Sequence, residues 1–249
     1  MNHDADARRM SDNARRVNHD ADARRVNNPA FRVVSELGNG ALDLLFPPKC
    51  PFCRKILRRP GICDDCAADL PWVDERDAFR VIHGLYCAAP LHYAGAVRKA
   101  IRRFKFGGHT AAARAFAETL AACAAERYPG MFDAVTWVPI SRERFRQRGY
   151  NQAELLAREM CRVWGILPEE ALVKPVDNPP QARIRDNAQR WLNVAGVYRP
   201  APGRSCAGKR VLLIDDICTS GATFCECAKC LRDGGAAEVY ALSLAMAKS

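Results

Sequence analysis

The sequence contains no apolar run that approaches the roughly 20 residues needed to span a bilayer. The Ala-rich stretch from Ala111 to Ala125 is interrupted by Arg114 and Glu118, a pattern that predicts an amphipathic helix. The N-terminus also lacks the apolar segment of a secretory signal, since Asp and Arg residues occur from its start. We therefore expect no membrane insertion and a cytoplasmic location.

Acidic residues are scarce relative to basic ones. The chain has 38 Lys and Arg against 28 Asp and Glu, a net charge of +10. Residues 1–29 hold six Arg and five Asp, so about +9 belongs to the rest of the chain. A basic surface suits phosphate-bearing ligands or nucleic acid, and charge alone does not decide between them. The 249 residues, 49% of them hydrophobic, are enough for one sizeable core and a small satellite domain.

The N-terminal segment is repetitive and lacks a sustained apolar face. NHDADARR occurs at residues 2–9 and again at 18–25, without any aromatic residue. Such a segment cannot offset the entropy lost on ordering. A nucleic-acid-binding arm is the alternative, but the nearly balanced charge argues against it. We expect residues 1–35 to form a disordered tail.

Twelve cysteines in a chain expected in the cytoplasm favour metal binding or simple burial over disulfides. Four of them form two C-x-x-C pairs, Cys50 with Cys53 and Cys63 with Cys66. Each pair can aim two thiolates at one point, and two pairs complete a tetrahedral zinc site. A redox dithiol normally involves a single pair. We predict a structural zinc site in a ribbon-like module at 42–75, with a core separate from the rest.

The other cysteines give weaker signals. Cys225, Cys227 and Cys230 follow one another on a predicted helix, where Cys227 and Cys230 share a face. Buried free cysteine is common, so we favour burial over a second metal site. Cys218 precedes this helix in a predicted loop, where we expect it to be accessible and reactive.

Strand and helix patterns alternate from about residue 85 onward. The predicted strands are 87–93, 133–140, 171–176, 209–216 and 237–247, and the predicted helices are 94–106, 110–127, 151–165 and 222–232. Such alternation is typical of an α/β fold with a mostly parallel sheet flanked by helices. We assign this domain to residues 80–249.

The stretch VLLIDDICTSGATF, residues 211–224, places Asp215 and Asp216 where a buried strand is predicted to end. In open α/β sheets, ligands bind beyond the carboxyl ends of the strands. The five residues after Cys218 are small enough for backbone N–H groups to converge on a phosphate at a helix N-terminus: Thr219, Ser220, Gly221, Ala222 and Thr223. We expect a side chain at Gly221 to block that approach.

The two carboxylates would repel this phosphate, so they should face another part of the ligand. Vicinal ribose hydroxyls can each donate a hydrogen bond to a carboxylate oxygen. The pattern therefore predicts a ribose 5-phosphate ligand. An N-capped turn with solvent-exposed acids is the alternative, and it accounts less well for the whole pattern.

VLLIDDICTSGAT resembles the phosphoribosyl pyrophosphate (PRPP) motif of the type I phosphoribosyltransferases. Together with FPPKCPFC…CDDC, VPISRERFRQRGYNQAELLA and PPQARIRDNAQRWLNVAGVY, it makes the chain from Leu42 to Ala247 similar to the ComF (competence protein F) family. The resemblance implies a type I phosphoribosyltransferase-like fold, a zinc-binding N-terminal module and the handling of single-stranded DNA during natural transformation. Two differences are mild: Thr219-Ser220 replaces a threonine pair, and Cys218 replaces a commonly apolar residue.

The resemblance also implies roles for individual residues. Asp215 and Asp216 would act on the ribose hydroxyls of PRPP, and residues 219–223 would hold its 5-phosphate. The loop near the diphosphate would contribute Pro139, Arg142 and Arg148. In an extended segment, Arg148 would share one face with Arg144 and Arg146 and could clamp a polyanion; a solvated basic loop is the alternative.

Two functions from different classes fit these features. The first is a phosphoribosyltransferase with an unidentified acceptor, in which a nitrogen nucleophile displaces pyrophosphate and Mg²⁺ neutralises the leaving group. The second is a non-catalytic factor that binds single-stranded DNA, with competence proteins as partners. The basic segment 101–109, with Phe104 and Phe106, favours nucleic acid modestly. Both Phe side chains also fit a hydrophobic core, which we favour.

Overall fold

The computed structural model describes residues 47–178 and 186–248. The predicted disordered tail, 1–35, lies outside the described residues, as does the beginning of the predicted zinc module. In the described ranges, no helix is both long and apolar enough to cross a membrane.

The N-terminal module is built around its two cysteine pairs. Lys49 and Ile56 form an antiparallel bridge, so the first pair lies in a tight turn between them. Within this turn Cys50 N–H donates to the Lys55 carbonyl at 2.9 Å. The second pair begins directly before helix α1 (Asp64–Asp69), which contains Cys66. The two turns therefore bring the four cysteines to one place.

The central sheet has six strands in the described part of the chain. They are β1 (Arg80–Ile82), β2 (Leu85–Ala88), β3 (Leu91–His92), β4 (Ala134–Trp137), β7 (Arg210–Cys218) and β8 (Glu238–Met246). The order is β1-β2-β8-β7-β4, and β3 also pairs with β8. All pairings are parallel except that of β1 with β2, which confirms the predicted mostly parallel sheet.

The helices that connect these strands cover the sheet. They are α2 (Gly95–Phe106), α3 (Ala112–Arg127), α4 (Arg142–Arg148), α5 (Gln152–Trp164), α6 (Asn187–Val194) and α7 (Ala222–Asp233). A separate two-stranded antiparallel sheet joins β5 (Leu172–Val173) to β6 (Arg199–Pro200). The predicted helices agree with α2, α3, α5 and α7, whereas α1, α4 and α6 were not predicted.

Three strand predictions are clearly longer than the strands observed, and one of them, 133–140, is reduced to β4 (Ala134–Trp137). The predicted strand 87–93 is divided into β2 and β3, with Pro90 between them, because proline cannot donate to a ladder. The predicted strand 171–176 is reduced to β5, where Pro175 follows closely. Conversely, β7 extends two residues beyond the predicted end at Asp216.

The described residues share one hydrophobic core. The apolar residues Val211–Ile214 of β7 are fully buried, as expected for a central parallel strand. Cys50, Phe52 and Leu70 of the zinc module belong to the same buried cluster. The prediction of a separate core for the module is therefore wrong: its apolar surface is too small to be buried without the helices of the α/β body.

Candidate functional site

The four predicted zinc ligands lie together. The Sγ atoms of Cys50, Cys53, Cys63 and Cys66 all lie within 4.8 Å of one another, and those of Cys53 and Cys63 are 3.5 Å apart. Thiolates at about 2.3 Å from a tetrahedral zinc would be separated by roughly 3.8 Å, so the set fits the metal. The residues present therefore form a structural zinc site, with all four ligands supplied by protein.

Local backbone groups favour the thiolate form of Cys50, whereas burial and the neighbouring cysteines raise the pKa of Cys66. Burial raises the pKa of Cys50, but hydrogen bonds from the backbone of Cys63, Cys53 and Phe52 outweigh it and lower the pKa to about 7. A zinc ligand must be deprotonated, so these N–H donors favour metal binding.

The second candidate site lies at the carboxyl end of β7. Asp215 and Asp216 belong to the last four residues of the strand rather than to a loop. Asp216 is buried, and its Oδ2 lies 2.8 Å from Nζ of Lys105 at the end of α2. Asp215 is half-buried, and its Oδ1 accepts a hydrogen bond of 2.7 Å from the Asp216 N–H. Each carboxylate thus has a fixed partner.

The surroundings of Asp215 disfavour its charged form. Burial raises the pKa of Asp215, and the neighbouring charge of Asp216 raises it further, to about 7. Lys105 and Arg148 offset part of this effect. The charged form of Asp215 is thus disfavoured, and a hydroxyl donor or a cation beside it would stabilise that form.

The loop after β7 is held by the hairpin that forms β1. Nη1 of Arg80 donates to the Thr219 carbonyl at 2.7 Å. Gly221 caps α7 with φ of 79°, in the left-handed region that favours glycine. A Cβ atom on Gly221 would lie 2.2 Å from Cδ1 of Ile82. An added side chain would therefore meet the protein first, and the expectation that it would primarily block a phosphate needs this correction.

The predicted phosphate-binding residues form the turn that begins α7. Gly221 and Ala222 are buried, whereas Thr219, Ser220 and Thr223 are half-buried. Oγ of Ser220 accepts from the Ala222 N–H at 3.4 Å. The first N–H groups of a helix lack intrahelical partners and carry partial positive charge. The arrangement can accept an anion.

The segment after β4 is a loop followed by a helix. Pro139 is buried, and Ser141 caps α4, in which Arg142 is the exposed first residue. The prediction of an extended segment with Arg144, Arg146 and Arg148 on one face is wrong, because helical spacing puts only Arg144 and Arg148 together. Ser141 and Gly149 supply the cap and the left-handed stop that enclose this helix.

The arginines of α4 have different surroundings. Nη2 of Arg144 donates to the Asn178 carbonyl at 2.9 Å, a structural role. The guanidinium of Arg148 lies 5.1 Å from the centre of the Phe106 ring and donates to Oε1 of Gln152 at 2.8 Å. Since the charge of Arg148 also acts on Asp215, the structure brings Arg148 to the candidate site.

Sequence reasoning missed Arg80, Lys105 and Lys174. Lys174 is buried, and its Nζ lies 5.3 Å from the centre of the Tyr198 ring. Burial lowers the pKa of Lys174 to about 8. Only Lys105 lay in a segment that the sequence marked, the basic stretch 101–109.

Several expectations about single residues are settled by burial. Cys218 is 1% exposed, so the prediction of an accessible thiol is wrong: it is the last residue of β7, not part of a loop. Cys227 is buried and Cys230 half-buried. Phe104 is buried in the core as favoured, but Phe106 is 70% exposed, contrary to that expectation.

Comparison with known proteins gives matches to both parts of the chain. Residues 41–78 match the family model of the double zinc ribbon domain. Competence protein ComFC of Bacillus subtilis is 28% identical over 196 residues, which is 78% of this chain and 76% of that protein. Competence protein F of Haemophilus influenzae is 28% identical over 233 residues, which is 87% of this chain and 97% of that protein.

Among solved structures, phosphoribosylpyrophosphate synthetase from Mycobacterium smegmatis is similar to 52% of this chain, with a TM-score of 0.34 and 16% sequence identity. The similarity spans only 33% of that longer chain.

Proposed function

Because the chain belongs to the ComF family, with a type I phosphoribosyltransferase-like fold and a zinc ribbon, we propose that it acts in competence through a PRPP-binding site at the carboxyl end of β7. One observation carries this proposal. A buried carboxylate, Asp216, and its neighbour Asp215 lie directly before a small-residue turn that opens helix α7. Hydroxyl acceptors and phosphate donors are thus adjacent, as a ribose 5-phosphate requires.

In this proposal the two ends of the motif bind different parts of the sugar phosphate. Asp215 and Asp216 accept hydrogen bonds from ribose hydroxyls, and residues 219–223 donate backbone N–H groups to the 5-phosphate. Arg80 stabilises the turn by its hydrogen bond to the Thr219 carbonyl, so the turn has a defined shape before ligand binds.

The diphosphate would lie toward the loop after β4. Pro139 gives this loop a fixed backbone, Arg142 begins α4 and Arg148 ends it. The Arg148 guanidinium is the better supported phosphate ligand, since it already lies close enough to act on Asp215. Arg142 is exposed and free of the packing that holds Arg144.

The carboxylate oxygens of Asp215 and Asp216 are also the kind of ligand that Mg²⁺ prefers. Together with the diphosphate and the ribose hydroxyls, they would hold the ion. When bound, Mg²⁺ supplies positive charge that neutralises the diphosphate.

Catalysis would require a nitrogen nucleophile to attack the anomeric carbon while the bond to pyrophosphate breaks. The protein would then be a phosphoribosyltransferase whose acceptor the site does not name. Release of pyrophosphate from PRPP in the presence of a panel of nucleobases and amines tests this activity. Binding of PRPP without release by any acceptor would instead support a binding role.

Calorimetric titration with PRPP and Mg²⁺ tests the binding proposal. We expect Asp216→Ala to weaken PRPP by about tenfold or more, since a hydrogen bond to a charged group contributes about 1.5–3 kcal/mol. Sulfate binding should persist or improve in this variant because a negative charge is removed. Asp133→Ala is a matched control, since Asp133 pairs with Arg210 at the amino end of the sheet. Wild type that binds no PRPP at millimolar ligand would overturn the proposal.

A second function, binding of single-stranded DNA, is favoured by one observation. Phe106 is 70% exposed, and the Arg148 guanidinium lies over its ring. Exposed aromatic rings beside cations stack nucleic-acid bases, and the basic body of the chain would attract the phosphates. We propose that single-stranded DNA and competence proteins are partners. We also propose a cytoplasmic location, in keeping with eight free thiols beside the four zinc ligands.

A further inference from the structure

Lys105 occupies a defined position beside the carboxylates. It is the last but one residue of α2, and its ammonium lies 2.8 Å from Oδ2 of Asp216. The side chains of Lys105 and Asp216 are only 20% and 8% exposed. This pair is therefore partly removed from water, unlike the exposed pair of Lys55 with Asp65.

The end of α2 is fixed in place by its neighbours. Phe104 is completely buried, and its carbonyl accepts a hydrogen bond from the Tyr150 hydroxyl. Tyr150 directly precedes Asn151, whose side chain caps α5 and donates to the Val138 carbonyl at 3.1 Å. Lys105 thus extends from an anchored backbone toward Asp216. The fold therefore fixes the position of this contact, unlike that of a lysine on a mobile surface segment.

A buried carboxylate is costly unless a positive charge or hydrogen-bond donors compensate it. Within the described residues, Lys105 is the ion-pair partner of Asp216. Its charge also acts on the adjacent Asp215. Together with the charge of Arg148, this ammonium compensates two neighbouring acids at the place where the proposed ligand would bring hydroxyls and a cation.

We propose that Lys105 is a binding residue of the PRPP site, whose ammonium pairs with Asp216 before ligand binds and is replaced there by the hydroxyl and divalent cation of the incoming ligand. The inference rests on the proposed function. The long flexible stem of lysine lets the displaced ammonium move to the diphosphate without any change in α2. The exchange needs no proton transfer and no covalent step.

This exchange makes the site selective. A divalent cation alone must displace an ammonium that already lies 2.8 Å from Oδ2 of Asp216, so the net free energy of its binding is small. Mg²⁺ with PRPP brings both a cation for the carboxylates and a diphosphate that can receive Lys105. The site would thus favour the complete ligand over free metal or a neutral sugar.

Titration with Mg²⁺ alone, followed by calorimetry, tests the exchange in the zinc-loaded full chain. We expect Lys105→Met to bind Mg²⁺ at least about tenfold more tightly than wild type, because the two carboxylates lose their internal cation. The same variant should bind PRPP with Mg²⁺ more weakly, because the diphosphate loses an ammonium. Lys99→Met, at an exposed position of the same helix, should change neither affinity.

Two further variants separate this role from mere structural support. Lys105→Gln keeps a hydrogen-bond donor for Asp216 without the charge, so it should fold even if Lys105→Met does not, and it should still bind Mg²⁺ more tightly. In an Asp216→Asn background, loss of Lys105 should no longer tighten Mg²⁺ binding. A gain that survives Asp216→Asn would overturn the inference.

The outcomes also distinguish this inference from the proposed function. If wild type binds PRPP but Lys105→Gln leaves both affinities unchanged, Lys105 has no role in exchange and the inference fails alone. If wild type binds no PRPP while Lys105→Gln gains Mg²⁺ affinity, the proposed function fails and the control of the cation by Lys105 stands.

Discussion

The ring of Phe52 packs edge-on against the ring of Phe116 in α3, with centroids 5.9 Å apart and 65° between the ring planes. Phe52 lies between the first two zinc ligands. Nη2 of Arg103 in α2 also donates to the carbonyls of Pro51 and Phe52, at 2.8 and 2.9 Å. The turn that holds Cys50 and Cys53 is thus packed against α2 and α3, and bound zinc would keep it in this conformation.

This contact changes the expected effect of losing the metal. We predict that Cys63→Ser abolishes stoichiometric zinc binding and also lowers the melting temperature of the whole chain. The reason is that an unfolded turn exposes Phe52 and removes one of the two ring contacts of Phe116, which keeps only its contact with Phe104. Metal analysis and thermal unfolding measure the two effects. Cys230→Ser, at a half-buried cysteine outside the module, is the control. An unchanged melting temperature in a zinc-free Cys63→Ser protein would contradict the shared core.

The fold could be predicted largely from local patterns. The amphipathic spacing of α5 and the apolar run of β7 are strong sequence signals, because each extends over many residues. Hairpin β1–β2 was missed because β1 has only three residues. Its turn uses His83 and Gly84, both with positive φ, and histidine is an uncommon residue there. Whether the chain divides at 42–75 and 80–249 stays a prediction.

Replacement of Gly221 should affect folding before it affects ligand binding. Gly221→Ala must adopt a left-handed φ, which costs an L-residue about 1–2 kcal/mol, and must also displace Ile82. We predict a larger loss of unfolding free energy than for Gly208→Ala, which has φ of 70° but no atom within 4 Å of the new Cβ. Urea unfolding measures both losses.

Ile82→Val provides a direct check on the cause. It removes the Cδ1 atom that an added Cβ would meet, at a cost of about 0.5–1.5 kcal/mol by itself. In the Gly221→Ala background the same change should cost less or restore stability. Strictly additive losses would show that the collision with Ile82 is not the cause.

The candidate site was predicted where a contiguous motif carries it. Asp215 and the turn 219–223 are adjacent in sequence, so their proximity needed no tertiary information. Lys105 and Arg80 reach the same place from α2 and β1, over more than a hundred residues of chain. Their proximity to the site depends on how the strands pair, and no periodic pattern in the sequence predicts that pairing.

The raised pKa of Asp215 predicts a pH-dependent stability. Its folded-state pKa of about 7 exceeds the ordinary value of 3.8, so the folded chain holds this proton more firmly than the unfolded chain. Stability from this group is fully present below about pH 4 and is lost as the pH rises through about 7. Between pH 5.5 and 8 the unfolding free energy should fall by roughly 2 kcal/mol for this reason.

Asp215→Asn removes the titrating group while keeping its size. We predict that the variant lacks this fall and is more stable than wild type at pH 8, although it binds PRPP less well. Urea unfolding at several pH values compares the two proteins. Parallel pH dependences would show that Asp215 ionises normally in the folded chain.

Binding of single-stranded DNA should depend on Phe106 and on salt in separable ways. Stacking on an aromatic side chain contributes about 1–3 kcal/mol per base, so Phe106→Ala should weaken binding by roughly tenfold. The salt dependence should remain, since phenylalanine carries no charge. Arg148→Gln should instead lower the slope of log affinity against log salt, by about 0.7 if one phosphate contact is lost. Fluorescence anisotropy of a labelled oligothymidylate across a salt series measures both quantities.

Leu167→Ala is the matched control, because Leu167 is another apolar side chain that is highly exposed, at 87%. Equal losses for Phe106→Ala and Leu167→Ala would argue against a stacking site at Phe106. Binding that ignores salt, or no binding at low salt, would remove nucleic acid from the proposed partners.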